Sequence, residues 1–514
     1  MNKKRIPVID LFAGPGGLAE GFSNLIDNNS RKFDVRLSIE MDQHARETLK
    51  LRSFVRQFPH GALPDEYYHL LEGKISTSDL YQLYPKEHED ADKEAWQATL
   101  GKTEEKEIDH RIIEGLKGQK NWVLIGGPPC QAYSLVGRSR VGGIDSEDHR
   151  VLLYREYLRI IAAHQPAVFV MENVKGLLSA KVGGEKIFDN ILADLTSPSS
   201  IFPVYVSKGY KIHSLVKEEI SSDTDYLIKS ELYGVPQRRH RVILLGIRED
   251  IHASPGHLLE REMVSLKSVI ADLPAIRSGI YRKFVGSQDV IVDGKKKKRR
   301  LYNNIQDSSE KWEDLINGFA NDLSALLPDD FRDGISFPKD KGNEFVKGRG
   351  EVDASLLLHD WYSDPKLKGV INHQSRGHLT QDLKRYLFSI LYTRKTGKFP
   401  RMDDYRAYGE DLLPDHENAE SGKFNDRFRV QLPNQPATTI TSHISKDGHY
   451  FIHYDPVQCR SLSVREAARI QTFPDNYFFC GSRTQQFHQV GNAVPPYLAY
   501  QIAQIVEGVM EGIE

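Results

Sequence analysis

The chain has 514 residues, and its 69 lysines and arginines nearly balance 71 aspartates and glutamates, for a formal net charge of −2 at pH 7. This length predicts two domains and a large core, and the balanced charge requires any basic binding surface to be local. Three cysteines without a C-x-x-C pair argue against a disulfide framework or a zinc site. No apolar run approaches the ~18–20 residues of a membrane span. We therefore expect a cytoplasmic protein without a metal or a membrane segment.

The first predicted element is a strand, glycine turn and helix in residues 6–21, which read I-P-V-I-D-L-F-A-G-P-G-G-L-A-E-G. Glycines at 14, 16 and 17 let the backbone approach a bound cofactor closely at the carboxyl end of a strand. On its own, this turn could equally bind a dinucleotide.

A second strand, residues 36–42 (R-L-S-I-E-M-D), closes on an acid about twenty residues after the glycines. A carboxylate there can accept hydrogen bonds from both ribose hydroxyls of a cofactor, so the spacing favours a ligand role for Glu40 over a surface position. Residues 51–119 then carry dense charge and predict helices with a mostly solvated face.

The stretch 124–139, L-I-G-G-P-P-C-Q-A-Y-S-L-V-G-R-S, places Cys130 on a rigid turn after a buried strand at residues 122–125. Pro128 and Pro129 fix two consecutive φ angles ahead of the thiol. A thiolate after a strand, near amide dipoles, can act as a nucleophile. The alternative is a small buried hydrophobe beside a turn.

A loop that can close on a phosphate backbone is predicted for residues 131–149, where glycines and arginines mix without apolar periodicity. A helix over residues 152–164 follows, and then a buried strand at 167–171 that ends at Glu172. A carboxyl group at the end of an apolar strand can donate a proton as well as accept one. The alternative is a glutamate that simply pairs with an arginine.

Residues 233–241, Y-G-V-P-Q-R-R-H-R, lead into a fifth strand at 242–247. Alternation puts Arg239 and Arg241 on one face, where they can bind a phosphate or a base carbonyl bidentately. Because successive apolar strands each end in a polar or glycine-rich motif, the sequence predicts an α/β fold: a doubly wound, Rossmann-like sheet with one active face.

This alternation stops between residues 248 and 455, where basic clusters appear at 295–300 (K-K-K-K-R-R), 372–378 and 394–401. A charge run of this kind is as readily a solvated face as a nucleic-acid contact.

Two further elements close the chain. Residues 460–474 predict an amphipathic helix with Ser463 and Glu466 as a capping box, and Q-V-G-N-A-V-P-P at 489–496 opens the last helix.

Seven blocks together resemble the cytosine-5 DNA methyltransferases, in that family's usual order. The blocks are D-L-F-A-G-P-G-G, the acid of the second strand, G-P-P-C-Q, E-N-V, Q-R-R-H-R, the capped helix and G-N-A-V-P-P. The resemblance implies a catalytic domain of residues 1–250 plus 456–514 that binds S-adenosylmethionine (SAM), with 51–119 as an insert. It implies a smaller target recognition domain at 251–455, which reads bases in duplex DNA, and a last helix packed beside residues 6–22.

The roles that the resemblance implies are those of a base-flipping enzyme. Cys130 attacks carbon-6 of a cytosine, Glu172 protonates ring nitrogen 3, and Arg239 and Arg241 complete the catalytic set. The implied cofactor contacts are Phe12, Gly14, Gly16, Gly17, Leu18, Glu40, Met41, Pro128, Asn492 and Ala493, with Asp79 as substitute for the acid of the family's G-D-I motif, since residues 73–75 here read G-K-I. The implied DNA contacts are Gln131, Ser134, Arg138, Gln237, Lys295, Lys296, Arg299, Arg300 and Arg376.

The expected function is DNA cytosine-5 methylation by a monomer on double-stranded DNA, with a restriction endonuclease or another defence system encoded nearby. The tRNA-methylating branch of the family has a much shorter recognition segment and a C-F-T signature, and this chain has neither. A silent DNA-binding relative or a scaffold is disfavoured by the intact Cys130 and Glu172. A nucleotide-binding oxidoreductase would leave G-P-P-C-Q, E-N-V and G-N-A-V-P-P unexplained.

Overall fold

A central eight-stranded sheet carries the first half of the protein. The computed structural model describes residues 5–128, 149–182, 185–292, 295–327, 336–348, 350, 355–414 and 427–513. The strands are β1 Ile6–Leu11, β2 Ile26–Asp27, β3 Ser30–Arg31, β4 Phe33–Glu40, β5 Ala95–Gln97, β6 Val123–Gly126, β7 Val168–Val174, β8 Lys181–Val182, β9 Glu185–Lys186, β10 Tyr210–His213, β11 Leu227–Lys229, β12 Gln237–Arg238, β13 His240–Arg248, β14 Gly279–Val292, β15 Lys295–Asn304, β16 Gly342–Lys347, β17 Gly369–Gln374, β18 Gly377–Leu379 and β19 Ala437–Thr438.

Helices cover both faces of this sheet and fill much of the second half. They are α1 Gly17–Ser23, α2 Gln43–Arg56, α3 Asp65–Leu71, α4 Thr77–Leu83, α5 Pro85–Glu94, α6 Glu105–Leu116, α7 His149–His164, α8 Ile187–Thr196, α9 Pro198–Ile201, α10 Leu266–Ile270, α11 Ser309–Asp322, α12 His359–Tyr362, α13 Thr380–Thr396, α14 Met402–Tyr408, α15 Val464–Ile470, α16 Arg483–Asn492 and α17 Pro496–Glu511. Short 3-10 turns lie at Lys175–Ser179, Asp223–Tyr226, Ser230–Tyr233, Ser324–Leu326, Glu410–Leu412 and Ser442–Ser445. None of the described helices has both the length and the apolar character needed to cross a bilayer.

The sheet is doubly wound, as predicted. Its order is β10-β13-β7-β6-β1-β4-β5, with β11 beside β13. The chain runs from β1 outward through β4 to β5 and then returns to β6 on the other side of β1, in parallel register. The order therefore reverses between β1 and β6, which is where open α/β sheets bind their ligands, at the carboxyl ends of the strands.

Burial on both faces explains why the central strands are apolar throughout. One face packs against α6, α7 and α8, and the other against α1 and α17. The predicted contact between the last helix and the start of the chain is confirmed: α17 lies on α1 at Gly21, where an added Cβ would come 2.4 Å from Ala499 Cβ. A glycine is required there for the two helices to approach.

The second half is built around its own aromatic core and a long hairpin. Helices α11 and α13 bury Trp312, Tyr386 and Phe388 together with β14. Strands β14 and β15 form an antiparallel ribbon of 14 and 10 residues, so the basic run predicted at 295–300 lies along one strand of this ribbon.

The insert at 51–119 is helical, as predicted, but its face is not mainly solvated. Its helices bury Tyr67, Tyr68, Leu70 and Leu71 in a cluster that also contains Leu367 and Ile371 of the second half. The prediction was wrong because the second half of the chain covers one face of the insert. The charge pattern of the insert alone does not indicate such a distant contact. The insert also supplies β5, the edge strand beside β4.

Candidate active site

The glycine turn after β1 has an open space beside Gly14. Phe12, Gly14 and Gly16 have φ angles of 56°, 57° and 90°, all in the left-handed region. A bulky residue such as Phe12 adopts this conformation only at a cost, and such strain concentrates at functional sites. A Cβ added to Gly14 would meet nothing within 4 Å, so the turn leaves room for a ligand beside its backbone.

Glu40 ties this turn to the end of β4. Its carboxylate accepts hydrogen bonds from the backbone N–H of Gly14 and of Asp42, both at 2.8 Å. Burial raises the pKa of Glu40 above its ordinary value. Met41, next along the chain, is 63% exposed. An exposed methionine beside a half-buried acid suits a ligand with an apolar ring and a polar sugar.

The C-terminal region completes the same turn. The Tyr477 hydroxyl donates to the Pro15 carbonyl, and a Cβ on Gly17 would lie 2.2 Å from the Val494 carbonyl oxygen. Asn492, at the end of α16, is exposed, whereas the Ala493 side chain is buried.

Two predicted cofactor contacts need correction. The Leu18 side chain is 5% exposed and packs in the core, so only its backbone could face a ligand. Asp79 is exposed on α4, where its carboxylate accepts from the N–H and hydroxyl of Ser76 in a capping box. The residue at the end of β5, beside β4, is instead Gln97, whose amide lies 3.4 Å from the Met41 carbonyl. Strand β5 was not predicted, since A-W-Q is only three residues long.

The second group of site residues gathers where β6 and β7 end. Arg241 Nε lies 2.6 Å from Glu172 Oε1, and both side chains are about one-seventh exposed, at 14% and 13%. A Cβ on Gly127 would sit 2.9 Å from Glu172 Oε2, so the chain leaving β6 passes directly against this carboxylate. Glu172 lies within β7 and not after it, and this geometry is compatible both with pairing to an arginine and with a catalytic role.

Asn173 is a positioning residue for which the E-N-V motif predicted no role. Its side-chain amide donates to the Pro128 carbonyl at 3.3 Å, and its oxygen accepts from the Val174 N–H at 2.8 Å. Pro128 is buried. The segment that carries Cys130 therefore starts from a fixed point next to Glu172. Cys130 itself, with Gln131, Ser134 and Arg138, lies outside the described residues.

Arg239 and Gln237 do not share the surroundings of Arg241. The Arg239 guanidinium is buried and donates to the carbonyls of Ile440 at 2.8 Å and Gly491 at 3.3 Å. Burial, and then the neighbouring charge of Arg241, lowers the pKa of Arg239. Arg239 therefore positions the segment that contains Ile440, while Arg241 alone touches Glu172.

Gln237 is fully buried, so its predicted DNA contact is wrong. Its amide donates to the Ile470 carbonyl at 3.1 Å and to Gln471 Oε1, and its oxygen accepts from the Ile440 N–H at 3.0 Å. The residue holds the two halves of the protein together.

Comparison with known proteins identifies the family. A family model described as C-5 cytosine-specific DNA methylase matches residues 82–507. The chain belongs to this family. Type II methyltransferase M.Bpa9945I of Bacillus paralicheniformis is 32% identical over 98% of this chain and 99% of its own. Type II methyltransferase M.DdeI of Desulfomicrobium norvegicum is 26% identical over 98% and 89%. DNA (cytosine-5-)-methyltransferase M.ApeKI of Aeropyrum pernix is 25% identical over 78% and 84%.

The methylase carries its remaining predicted DNA contacts on two different surfaces. Lys295, Lys296, Arg299 and Arg300 lie on β15, and both arginines are exposed. Arg376 is only 9% exposed; it donates to the Ile444 carbonyl and lies 4.7 Å from the centre of the Phe487 ring. The charge of the cluster 372–378 does not indicate exposure, because β17 packs against α15 and the turn after β17 lies against Arg483 and Phe487 of α16.

Proposed function

We propose that this methylase transfers a methyl group from SAM to carbon-5 of a cytosine that is flipped out of duplex DNA, through a covalent bond to Cys130. The observation that carries the proposal is the adjacency of two turns. Leu11, before the glycine turn, pairs with Gly126, and Gly127 lies against Glu172. A cofactor on the first turn and a base on the second would therefore meet at the point where the strand order reverses.

SAM fits the residues around the first turn. Gly14 leaves space for the ligand, the Glu40 carboxylate suits the ribose hydroxyls, and Met41 offers an apolar surface for the adenine. When bound, SAM supplies an electrophilic methyl group. Nucleophilic attack and protonation of the base are assigned to side chains of this chain.

In the proposed mechanism the Cys130 thiolate forms a bond to carbon-6, and the ring electrons move toward nitrogen 3 and carbon-5. Glu172 donates a proton to nitrogen 3, which neutralises the developing charge, and Arg241 holds the carboxyl group and can bind the base carbonyl. After carbon-5 gains the methyl group, it loses its proton to a base, for which we propose water. The electron pair left behind expels the thiolate from carbon-6 and Glu172 recovers its proton.

We also propose a restriction-modification setting. Relatives across nearly the whole chain are named type II methyltransferases, which suggests that this enzyme acts as a monomer in the cytoplasm and protects DNA from a restriction endonuclease or another defence system encoded nearby. Sequencing of the neighbouring genes tests this part of the proposal.

The central test is covalent trapping. Purified protein is incubated with SAM and random duplex DNA that contains 5-fluorocytosine, whose fluorine cannot leave as a proton does, and the attached DNA is sequenced. We expect a stable adduct and a single recognition sequence. The adduct should vanish in Cys130→Ala and persist in Cys480→Ala, a matched control because Cys480 is a half-buried free thiol. Adduct formation by Cys130→Ala, or no adduct while SAM binds normally, would overturn the proposal.

A further inference from the structure

A cavity of about 480 Å³ lies between the second half of the protein and helix α16, and we call it the junction cavity. Four cationic side chains line it: Lys341, Arg376, Lys446 and Arg483. The one acid in its described lining is Asp307. This carboxylate already pairs with Arg277 at 2.8 Å and with Lys341 at 3.2 Å.

Arg376 is withdrawn from water and Arg483 is partly so, and neither forms an ion pair with a described carboxylate. Arg376 is 9% exposed, its Nε has no hydrogen-bond partner, and within the described chain its guanidinium donates only to the Ile444 carbonyl. Arg483 donates to the Ser375 carbonyl at 2.7 Å and to Gln374. Burial lowers the pKa of Arg376 to about 10 and also lowers that of Arg483.

Among the described residues, no carboxylate lies within ion-pair distance of Arg376, Lys446 or Arg483. A desolvated guanidinium without a carboxylate is costly to bury, and the cost falls when an anion supplies the missing charge. The amino end of helix α16 begins at Arg483 and adds a favourable dipole on the same side.

The cavity is coupled to the catalytic centre by one short stretch of chain. We call residues 440–445 the linking segment. Arg239 donates to the Ile440 carbonyl at its start, and Arg376 donates to the Ile444 carbonyl near its end. A Cβ on Gly491 would lie 2.3 Å from Ser442 N, so α16 is pressed against the segment's middle. The linking segment therefore connects the junction cavity to β13, the strand that carries Arg241.

From this arrangement we infer that the junction cavity binds a single backbone phosphate of the DNA strand next to the flipped cytosine. The inference rests on the proposed function. A phosphodiester brings one negative charge and acceptor oxygens, which Arg376 and Arg483 can meet from two sides and Lys446 from the rim. Binding there also fixes the linking segment, and through Arg239 it fixes the register of the target nucleotide relative to Arg241.

The test is the salt dependence of duplex binding, measured by fluorescence anisotropy with the full chain and SAM present. Each phosphate contact contributes roughly 0.9 to the slope of log affinity against log salt concentration. We expect Lys446→Gln and Arg483→Gln each to lower the slope by about 0.9. Because both side chains serve one phosphate, the double variant should lose about 0.9 as well, and not twice that amount. Lys120→Gln is the control, since Lys120 is exposed just before the central strand β6 and does not line the junction cavity.

The outcomes separate this inference from the proposed function. No duplex binding by the wild-type protein would overturn the function. Normal wild-type binding with slopes unchanged in both variants would overturn the phosphate site alone. Losses that add in the double variant would mean two separate contacts and would also overturn it. If inorganic phosphate raises the melting temperature of the wild type but not of Arg483→Gln, while DNA slopes stay equal, the cavity binds free phosphate and the DNA assignment is wrong.

Discussion

At the scale of single residues, a buried acid on the first strand makes the stability of the protein depend on pH. Asp10 is fully buried, and neither of its carboxyl oxygens has a hydrogen-bond partner within the described chain. Burial raises the pKa of Asp10 well above its ordinary value. The side chain is therefore protonated in the folded protein at a pH where the unfolded chain has released the proton.

The sign of the effect follows from linkage. Because the folded pKa is above the unfolded one, folding takes up a proton, and the free energy of unfolding falls as pH rises above about 4. Asp10→Asn should remove this penalty and raise the free energy of unfolding at pH 7 by about 1–3 kcal/mol. Melting temperatures of the wild type and the variant at pH 6 and pH 8 measure this change in stability. Ser38→Ala is the control, because the neighbouring Ser38 hydroxyl also has no hydrogen-bond partner in the described chain. An unchanged pH slope in Asp10→Asn would contradict the assignment.

The two arginines of the Q-x-R-x-R motif should behave differently when substituted. Arg241 contacts Glu172, so Arg241→Gln should lower the methyl-transfer rate constant by roughly 10²–10³ with little change in melting temperature. Arg239→Gln should instead lower the melting temperature, because two backbone carbonyls lose their donor. Single-turnover kinetics and thermal melts of both variants distinguish the catalytic role of Arg241 from the structural role of Arg239. Equal losses of rate at unchanged stability would show that both arginines touch the base.

At the scale of elements, the insert acts as a brace between the two halves. Tyr68 on α3 donates to Asp364 Oδ2 at 2.9 Å, and the Asn476 amide donates to the same oxygen at 2.7 Å. Lys366 Nζ donates to the Leu63 carbonyl at 3.1 Å. The insert thereby contacts the chain just before β17.

Removing one contact of this brace should affect DNA more than SAM. Tyr68→Phe deletes a buried hydrogen bond worth about 1 kcal/mol, and we expect a several-fold rise in the KM for DNA with the KM for SAM unchanged. Tyr84→Phe is the matched control, because the Tyr84 hydroxyl donates to Glu66 inside the insert. Equal effects of both substitutions on the KM for DNA would rule out a bracing role.

The elements that sequence predicted well are those with a local cause. Strand β6 and residues 168–171 of β7 are continuous apolar runs, and the Ser463–Glu466 box forms as expected. The predictions that were wrong concern polar side chains whose partners are distant. Gln237 bonds with Ile470, 233 residues away, and no local pattern distinguishes such a brace from a surface contact. The three-residue strand Ala95–Gln97 was not predicted either, because it forms through pairing with β4 and has no apolar pattern of its own.

At the scale of the whole molecule, helix α15 is the joint that holds the two halves. Its arginines are all buried: Arg465 donates to the carbonyls of Ile371, Pro474 and Tyr477, and Arg469 pairs with Asp272 and Asp475. Before the helix, Arg460 forms a two-pronged pair with Glu466, both distances being 2.7 Å.

Two buried histidines make this joint sensitive to acid. His373 bonds with Ser463 and with the Pro274 carbonyl, both at 2.8 Å, and His453 lies 3.5 Å from Glu466. Burial lowers the pKa of each to about 4. The unfolded chain therefore binds more protons between pH 6.5 and 4, and stability should be full above pH 6.5 and fall as pH drops through this range.

We expect the free energy of unfolding to fall by on the order of 2 kcal/mol per histidine between pH 7 and pH 5. Thermal melts across this range test it, with His453→Gln expected to flatten the pH dependence. His69→Gln, at an exposed position on α3, should leave the dependence as it is in the wild type. A wild-type melting temperature that is constant from pH 7 to pH 5 would refute the prediction.

The closing of the glycine turn by the far end of the chain has a consequence for protein synthesis. Pro15 and its partner Tyr477 are 462 residues apart, and Val494 is made later still. At the usual pace of ribosomes, roughly half a minute or more separates their synthesis. A nascent chain therefore displays the turn long before it can hold a cofactor in it, and a chain released early by a premature stop codon should modify no DNA. DNA methylation in a growing cell therefore requires the complete chain, so the delay between the start of synthesis and the first methyl transfer is set by this fold.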